Sequence, residues 1–373
     1  MDNTTVVNLS ANIGSSLSTV NIIGLGFSLF NIVSTLFSNR ETPPGITLVR
    51  LQAGLSIRRE QEWNRLGGHV PSVVLYNEFG ERFGENLNNN LDTIAEEGFA
   101  DILVPHVSKL RGYPHYLSLF QPIEDDKPTE KDHVAYDLDP ICIVAIWVTW
   151  PVPVDMGIYG WTGDLGASCG AQWYYSNSVV GANGFRPPCV WIGRKEKLGG
   201  FRHGGFHATP QRQAWIKEHP KVLCDSPARF SMYTYWELQN DGKNWLSMGA
   251  RDTTLVMHPN MGKSYVPQKP EHSEELREQF KASHAVFKRS LVTSRNPNHS
   301  ARTLCESESS LGPDLVSLSE DLFCDMSQKK LWRLCTKDGE PNCFDREFNT
   351  IHGPEPGTIV RKRDSPYHNF HDW

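Results

Sequence analysis

Residues 141–152 read ICIVAIWVTWPV, and from Ile141 to Trp150 the run is almost continuously apolar. A stretch of this length without polar alternation predicts a strand covered on both faces, or one lying across a sandwich core. Cys142 inside it reads as a small buried hydrophobe and not as a nucleophile.

Strand-like segments continue on both sides. ITLVRLQAGL from Ile46 is rich in aliphatic and β-branched residues. PSVVLYNEFGERFG then supplies a strand and a turn at Asn77 to Gly80, and ADILVPHV follows as another strand. Downstream, GIYGWTGDLGASCGAQWYYSN and PPCVWIG interleave glycines with aromatic residues, which predicts short strands and tight turns. RFSMYTYWELQ and NWLSMGARDTTLVMH flank Asn240-Asp241-Gly242-Lys243, a hairpin signal.

Helices are expected at the periphery. Asn90 can cap LDTIAEE, with Gly98 closing it, and Thr209-Pro210 can open PQRQAWIKEH. Ser273 can cap EELREQFKASHAVFKRSLV, in which Leu276, Phe280, Phe287 and Leu291 form an apolar face. Glu124 to Asp137 is acidic and reads as an exposed loop. No internal repeat is apparent. The expected fold is mainly β (α+β), a β-sandwich-like core with an apolar N-terminal helix, peripheral helices and a Cys-rich C-terminal tail. The corresponding regions are 1–40 (uncharged apolar helix), 41–265 (β-rich core), 266–295 (amphipathic helix) and 296–373 (loop-rich tail).

Between Asp2 and Arg40 there is no charged side chain. On a helix, Asn21, Ser28, Asn31, Thr35 and Ser38 would form a narrow polar stripe. The membrane or assembly face would then comprise Ile22, Ile23, Leu25, Phe27, Leu29, Phe30, Ile32, Val33, Leu36 and Phe37. The Met-Asp start lacks the basic region of a secretory signal, and the polar interruptions make a single spanning helix poor. Residues 12–38 are therefore expected to meet membrane lipid or other copies of the chain, without charge attraction to lipid.

The 373 residues carry 37 Lys and Arg against 43 Asp and Glu, a formal net charge of −6. That balance gives no attraction for phosphate backbones, so nucleic acid is not an expected partner. Of the eight cysteines, Cys169, Cys189, Cys305, Cys324, Cys335 and Cys343 are expected in disulfides of unassigned connectivity. The tail has no Cys-x-x-Cys pair, and its spacings are too wide for a zinc ribbon or finger. Disulfides point to an extracellular or cell-surface setting. Asn3, Asn8 and Asn298 lie in glycosylation acceptor triplets.

No catalytic motif or cofactor signature is present. His203 and His207 are four apart, but Gly204 and Gly205 oppose the helix that would join them in a metal site. Asp164 lies between glycines and reads first as a turn residue. Trp161, Asp164, Trp173, Tyr175 and Trp191 form a possible ligand platform for a glycan, although alternation sends about half of such rings inward.

At CIVAIWVTWP, GWTGDLGASCGAQWYYSN, PPCVWIG and FCDMSQKKLWRLC…CFD the chain resembles an uncharacterised family of filamentous-fungal proteins. The resemblance runs from about Ile46 to the C-terminus and more loosely into the apolar N-terminal segment. It implies a fungal source and no catalytic residues, because the family has no established activity. The N-terminal run is also similar in style to those of fungal cell-death executors. Three functions are expected to compete. The first is a non-enzymatic toxin-like or effector-like protein whose β body binds a surface and whose N-terminal helix inserts or assembles. The others are a self-assembling structural protein and a carbohydrate-binding protein.

Overall fold

The computed structural model describes residues 45–54, 67–77, 82–87, 92–106, 114, 116–121, 140–151, 156–180, 185–193, 200–204, 230–233, 287, 290–337, 340–355, 358–361 and 367–373. These are mainly β and fall into two compact units. The first holds the described residues up to Gln172 and from Ser176 to Tyr233. The second holds Trp173–Tyr175 and the described residues from Phe287 to Trp373.

In the first unit the strands are β1 (Ile46–Ala53), β2 (Gly68–His69), β3 (Ser72–Tyr76), β4 (Arg82–Asn86), β5 (Thr93–Ile94), β6 (Phe99–Pro105), β7 (Tyr116–Phe120), β8 (Ile141–Pro151) and β9 (Met156–Thr162). A short helix α1 (Gly163–Ser168) follows. Strand β10 (Trp173–Tyr174) belongs to the second unit, and β11 (Cys189–Ile192), β12 (Gly200–Gly204) and β13 (Phe230–Tyr233) return to the first.

The apolar run of the sequence is β8, and it occupies the centre of a sheet. Its neighbours are β11, β9 and β1, and β6 lies beyond β1. Ile141 to Ile146 and Val148 are all completely buried, as a strand with both faces covered requires. Each such aliphatic side chain contributes about 1.5–3 kcal/mol. A second antiparallel sheet runs β13-β12-β7-β3-β4. The two meet at an edge, where Gly84 of β4 bridges His106 after β6. A Cβ on Gly84 would stand 2.6 Å from the Pro105 carbonyl oxygen, so the approach needs glycine.

The second unit adds β14 (Ser290–Ser294), helix α2 (Ala301–Glu306), β15 (Asp314–Ser317), β16 (Leu322–Asp325), β17 (Lys330–Leu334), β18 (Cys343–Asp345), β19 (Thr350–His352), β20 (Ile359–Arg361) and β21 (Asn369–Asp372). They form one sheet in the order β20-β19-β18-β17-β16-β15-β14-β21. It is mixed: β14 runs parallel to both β15 and β21, and β17 parallel to β18. Leu291, Val316, Phe323, Trp332, Leu334, Phe344, Ile351 and Tyr367 make its core. Phe323 and Phe344 stack with centroids 3.7 Å apart.

Three connections in this sheet are built alike. Residues 318–321, 326–329 and 346–349 each join two antiparallel strands, and each ends in a left-handed residue: Asp321 (φ 53°), Lys329 (φ 51°) and Asn349 (φ 53°). Two of them carry the same cap. Asp325 Oδ1 accepts from the Ser327 and Gln328 amides at 3.0 and 3.3 Å. Asp345 Oδ1 accepts from those of Glu347 and Phe348 at 2.8 and 3.1 Å. The side-chain oxygen mimics a backbone turn and fixes the hairpin. A short structural repeat therefore exists where none is apparent in the sequence, because only the capping Asp recurs, in two of the three, and the left-handed position holds three different residue types.

Several expectations are corrected. LDTIAEE is not a helix: Thr93 and Ile94 form β5, paired with β2, and the left-handed residue is Glu97 (φ 58°), not Gly98. A helix so short has almost no intrinsic stability, and pairing a buried Ile94 outweighs it. The amphipathic helix cannot run through Leu291, because Ser290–Ser294 is β14; Leu291 meets the core from a strand. Residues 163–168 form a helix where a turn is expected, with Gly163 so close to Pro188 that a Cβ would overlap its carbonyl oxygen. The proposed N-terminal helix (residues 22–37), most of the helix from Ser273, PQRQAWIKEH, the loop Glu124 to Asp137, the Asp241-Gly242 hairpin and His207 lie outside the described residues. Among the described residues no helix is long and apolar enough to cross a membrane.

Candidate functional site

The five residues expected as a ligand platform are core residues. Trp161 and Trp191 of the first unit are each 1 % exposed, and Trp173 and Tyr175 of the second are each 6 % exposed. Strand alternation turned these rings inward because the interior needed their large apolar area. Within the second unit Tyr175 stacks on His299 at 4.8 Å, meets Trp173 edge-on at 5.1 Å and donates its hydroxyl to the Ser300 carbonyl at 3.2 Å. The Trp173 indole donates to Ser307 Oγ at 3.1 Å. These contacts tie β10 to helix α2, whose first turn is capped by Ser300 Oγ and by the Glu320 carboxylate.

Asp164, in the first turn of α1, is also buried. Burial raises its carboxyl to about 7, against the opposing pull of the Thr162 hydroxyl and of backbone amides. Oδ1 takes the Thr162 hydroxyl, and Oδ2 has no hydrogen-bond partner among the described residues. A carboxyl this enclosed cannot reach a glycan or share calcium with solvent-borne ligands.

The disulfide expectation holds and extends. Cys142 is bridged to Cys189, Cys305 to Cys324 and Cys335 to Cys343, with Cα separations of 5.3, 5.5 and 5.1 Å. Cys169 is disulfide-bonded as well. Cys142 is thus corrected from a buried thiol to half of a bridge. The apolar surroundings that suggested a hydrophobe equally suit a sulfur of a disulfide, and spacing in sequence does not disclose that β11 pairs beside β8, Trp191 opposite Cys142.

What the structure leaves exposed is a sheet face that composition does not announce. On β6 the burial alternates, and Phe99 and Leu103 are 56 % and 52 % exposed. Between them Asp101 accepts from two guanidinium nitrogens of Arg50, Nε and Nη2, each at 2.6 Å. Arg50 is opposite Asp101 on one side and Trp147 on the other, and its guanidinium also lies 5.8 Å from the Phe99 ring centroid. Phe99 and Trp147 are 6.3 Å apart. The face therefore presents two large apolar side chains around a charge pair that neutralises itself. Exposed apolar side chains of this size suit the face to contact with an apolar phase. The signal that could have found it is the alternation in Phe99-Ala-Asp-Ile-Leu-Val, which puts Phe99, Asp101 and Leu103 on one side.

Comparison with protein-family models, with characterised proteins and with solved structures gave no match to this chain.

Proposed function

We propose that this is a non-enzymatic, effector-like or toxin-like protein of an oxidising, extracellular setting. Its β-rich body would dock on a lipid surface, and its uncharged segment 12–38 would insert or assemble there. The observation that carries this reading is the exposed, self-neutralised apolar face of Phe99 and Leu103 beside Arg50 and Asp101. Large exposed apolar side chains cost free energy in water, and aromatic rings are favoured at the headgroup boundary. The uncharged N-terminal stretch and the disulfides of the described β units are consistent with it. Burial of Trp161, Trp173, Tyr175 and Trp191 removes the support for a glycan platform. Self-assembly through residues 12–38 is the competing reading.

The test is co-sedimentation of the full chain with zwitterionic vesicles. The wild type is expected to pellet with lipid, and Phe99→Asp/Leu103→Asp to stay in the supernatant with unchanged thermal unfolding. Equal pelleting of both proteins would overturn the docking face.

A further inference from the structure

The bridge between Cys335 and Cys343 has a third potential ligand beside it. Cys335 directly follows β17, and its amide donates to the Phe344 carbonyl at 3.0 Å. Cys343 opens β18. In β19 Ile351 is opposite Phe344 and Thr350 opposite Asp345, and extending that register one residue brings His352 level with Cys343. Leu334, Phe344 and Ile351 point into the core, so their neighbours Cys335, Cys343 and His352 share the other face. Both sulfurs and a ring nitrogen of His352 lie within 4.8 Å of one another.

The histidine is poised in the manner of a metal ligand. Its Nε2 faces Asp345 Oδ2 at 3.7 Å, and its Nδ1 is buried with no hydrogen-bond partner among the described residues. Asp345 is itself held by the two amides of its turn. At 3.7 Å the two are beyond hydrogen-bond range, but the carboxylate stands on the Nε2 side of the ring. A small shift there would make the outer-shell contact usual behind a zinc-bound histidine and leave Nδ1 as the ligand atom. A buried ring nitrogen left without a partner is unfavourable. Some compensating partner is called for.

We propose that Cys335, Cys343 and His352 form a redox-gated site for zinc or a similar thiophilic divalent cation. In the oxidised protein the sulfurs are bonded to each other and the site is closed. A dithiol reductant transfers two electrons and two protons to the bridge, becoming a disulfide itself and leaving two protein thiols. Those thiols release two protons as the cation binds, giving two thiolates and the His352 imidazole as ligands, with water in the fourth position. Thiolate–zinc distances near 2.3 Å put two sulfurs about 3.8 Å apart, a small opening from the bridged state. Among the three bridges described at both ends, only this one has a half that is not buried, Cys335, so a reductant reaches it most readily. The exchange would convert passage from an oxidising to a reducing compartment into a bridge replaced by a metal.

The experiment treats the full-length protein with a mild phosphine reductant, with and without one equivalent of zinc. Iodoacetamide labelling is then followed peptide by peptide. Zinc is expected to protect Cys335 and Cys343 together while other reduced cysteines label unchanged. Cobalt in place of zinc should give the absorption of a thiolate-bound tetrahedral ion. His352→Ala should weaken zinc binding about tenfold or more, and Asp345→Asn, which keeps an acceptor for the turn, by about tenfold. Circular dichroism on the same samples tracks the fold. Equal labelling with and without zinc would overturn the proposal, including when reduction unfolds the tail and zinc does not restore it. So would protection that His352→Ala leaves unchanged.

Discussion

Arg50 and Asp101, opposite each other on β1 and β6, close a two-point ion pair at 2.6 Å on a sheet face that also carries Phe99, Leu103 and Trp147. Their side chains are 19 % and 31 % exposed, so the pair adds about 0–1 kcal/mol to stability. Its larger effect is to cancel charge where the surface is apolar. Asp101→Asn should thus change the unfolding free energy by at most about 1 kcal/mol. It should remove the carboxylate that opposes the Arg50 guanidinium on this face and increase retention on anionic vesicles relative to zwitterionic ones. Denaturant titration and vesicle co-sedimentation check the two halves. Loss of fold on substitution would contradict the surface role.

Tyr367 donates its hydroxyl to Asp314 Oδ2 at 2.5 Å, and Asp314 Oδ1 accepts from the Met326 amide at 2.9 Å. Both side chains are buried in the second unit. Tyr367→Phe removes one donor from a buried carboxylate and should cost about 1–3 kcal/mol. Thermal or urea unfolding followed at the C-terminal sheet measures it. A change near zero would show that other partners of Asp314 suffice.

The buried Asp164 carboxyl makes stability depend on pH in a direction opposite to that of a salt-bridged aspartate. Its folded value of about 7 exceeds its ordinary 3.8, chiefly through desolvation. Between those values the folded state holds a proton that the unfolded state has lost. Stability therefore falls as pH rises from about 4 to 7, at up to about 1.4 kcal/mol per pH unit from this group. Asp164→Asn, which imitates the neutral acid, should flatten that slope and stabilise the protein at pH 8. Unfolding titrations at a series of pH values compare the two slopes; identical slopes would remove Asp164 as the cause.

Asn349 ends a hairpin connection at φ 53°, a conformation that costs a β-branched residue about 1–2 kcal/mol. Asn349→Val should destabilise by about that amount, whereas Asn349→Gly should be close to neutral. The contrast within one position separates backbone strain from lost side-chain contacts. Equal losses for the two variants would point to the Asn side chain.

The strands were legible where burial and pattern agree. ICIVAIWVTWP needed only its length and lack of polar interruption, and Ile46–Ala53, the Ser72–Asn86 hairpin and Phe99–Pro105 followed from β-branched content and turn residues. Reading failed where tertiary pairing overrode a local signal. Thr93-Ile94 satisfied a capping pattern yet pairs with Gly68-His69, and Leu291 fitted a helical face yet enters the core from β14. The Trp and Tyr cluster was visible as a cluster, but sequence does not show which rings face inward, and the interior took them all. The grouping of Cys335, Cys343 and His352 depends on strand register across β17, β18 and β19, which their spacings of eight and nine residues do not reveal.

The proposed action on lipid, through an apolar face and an uncharged N-terminal stretch, is measured by dye release from zwitterionic vesicles. The full-length protein is measured beside a Phe30→Asp/Val33→Asp variant, with light scattering on both in the absence of lipid. Release is expected from the wild type and none from the variant, with the same particle mass for both before lipid is added. A wild type that binds no vesicle and releases no dye would contradict it, and a wild type that is a large particle without lipid, reduced to single chains in the variant, would assign the segment to assembly instead.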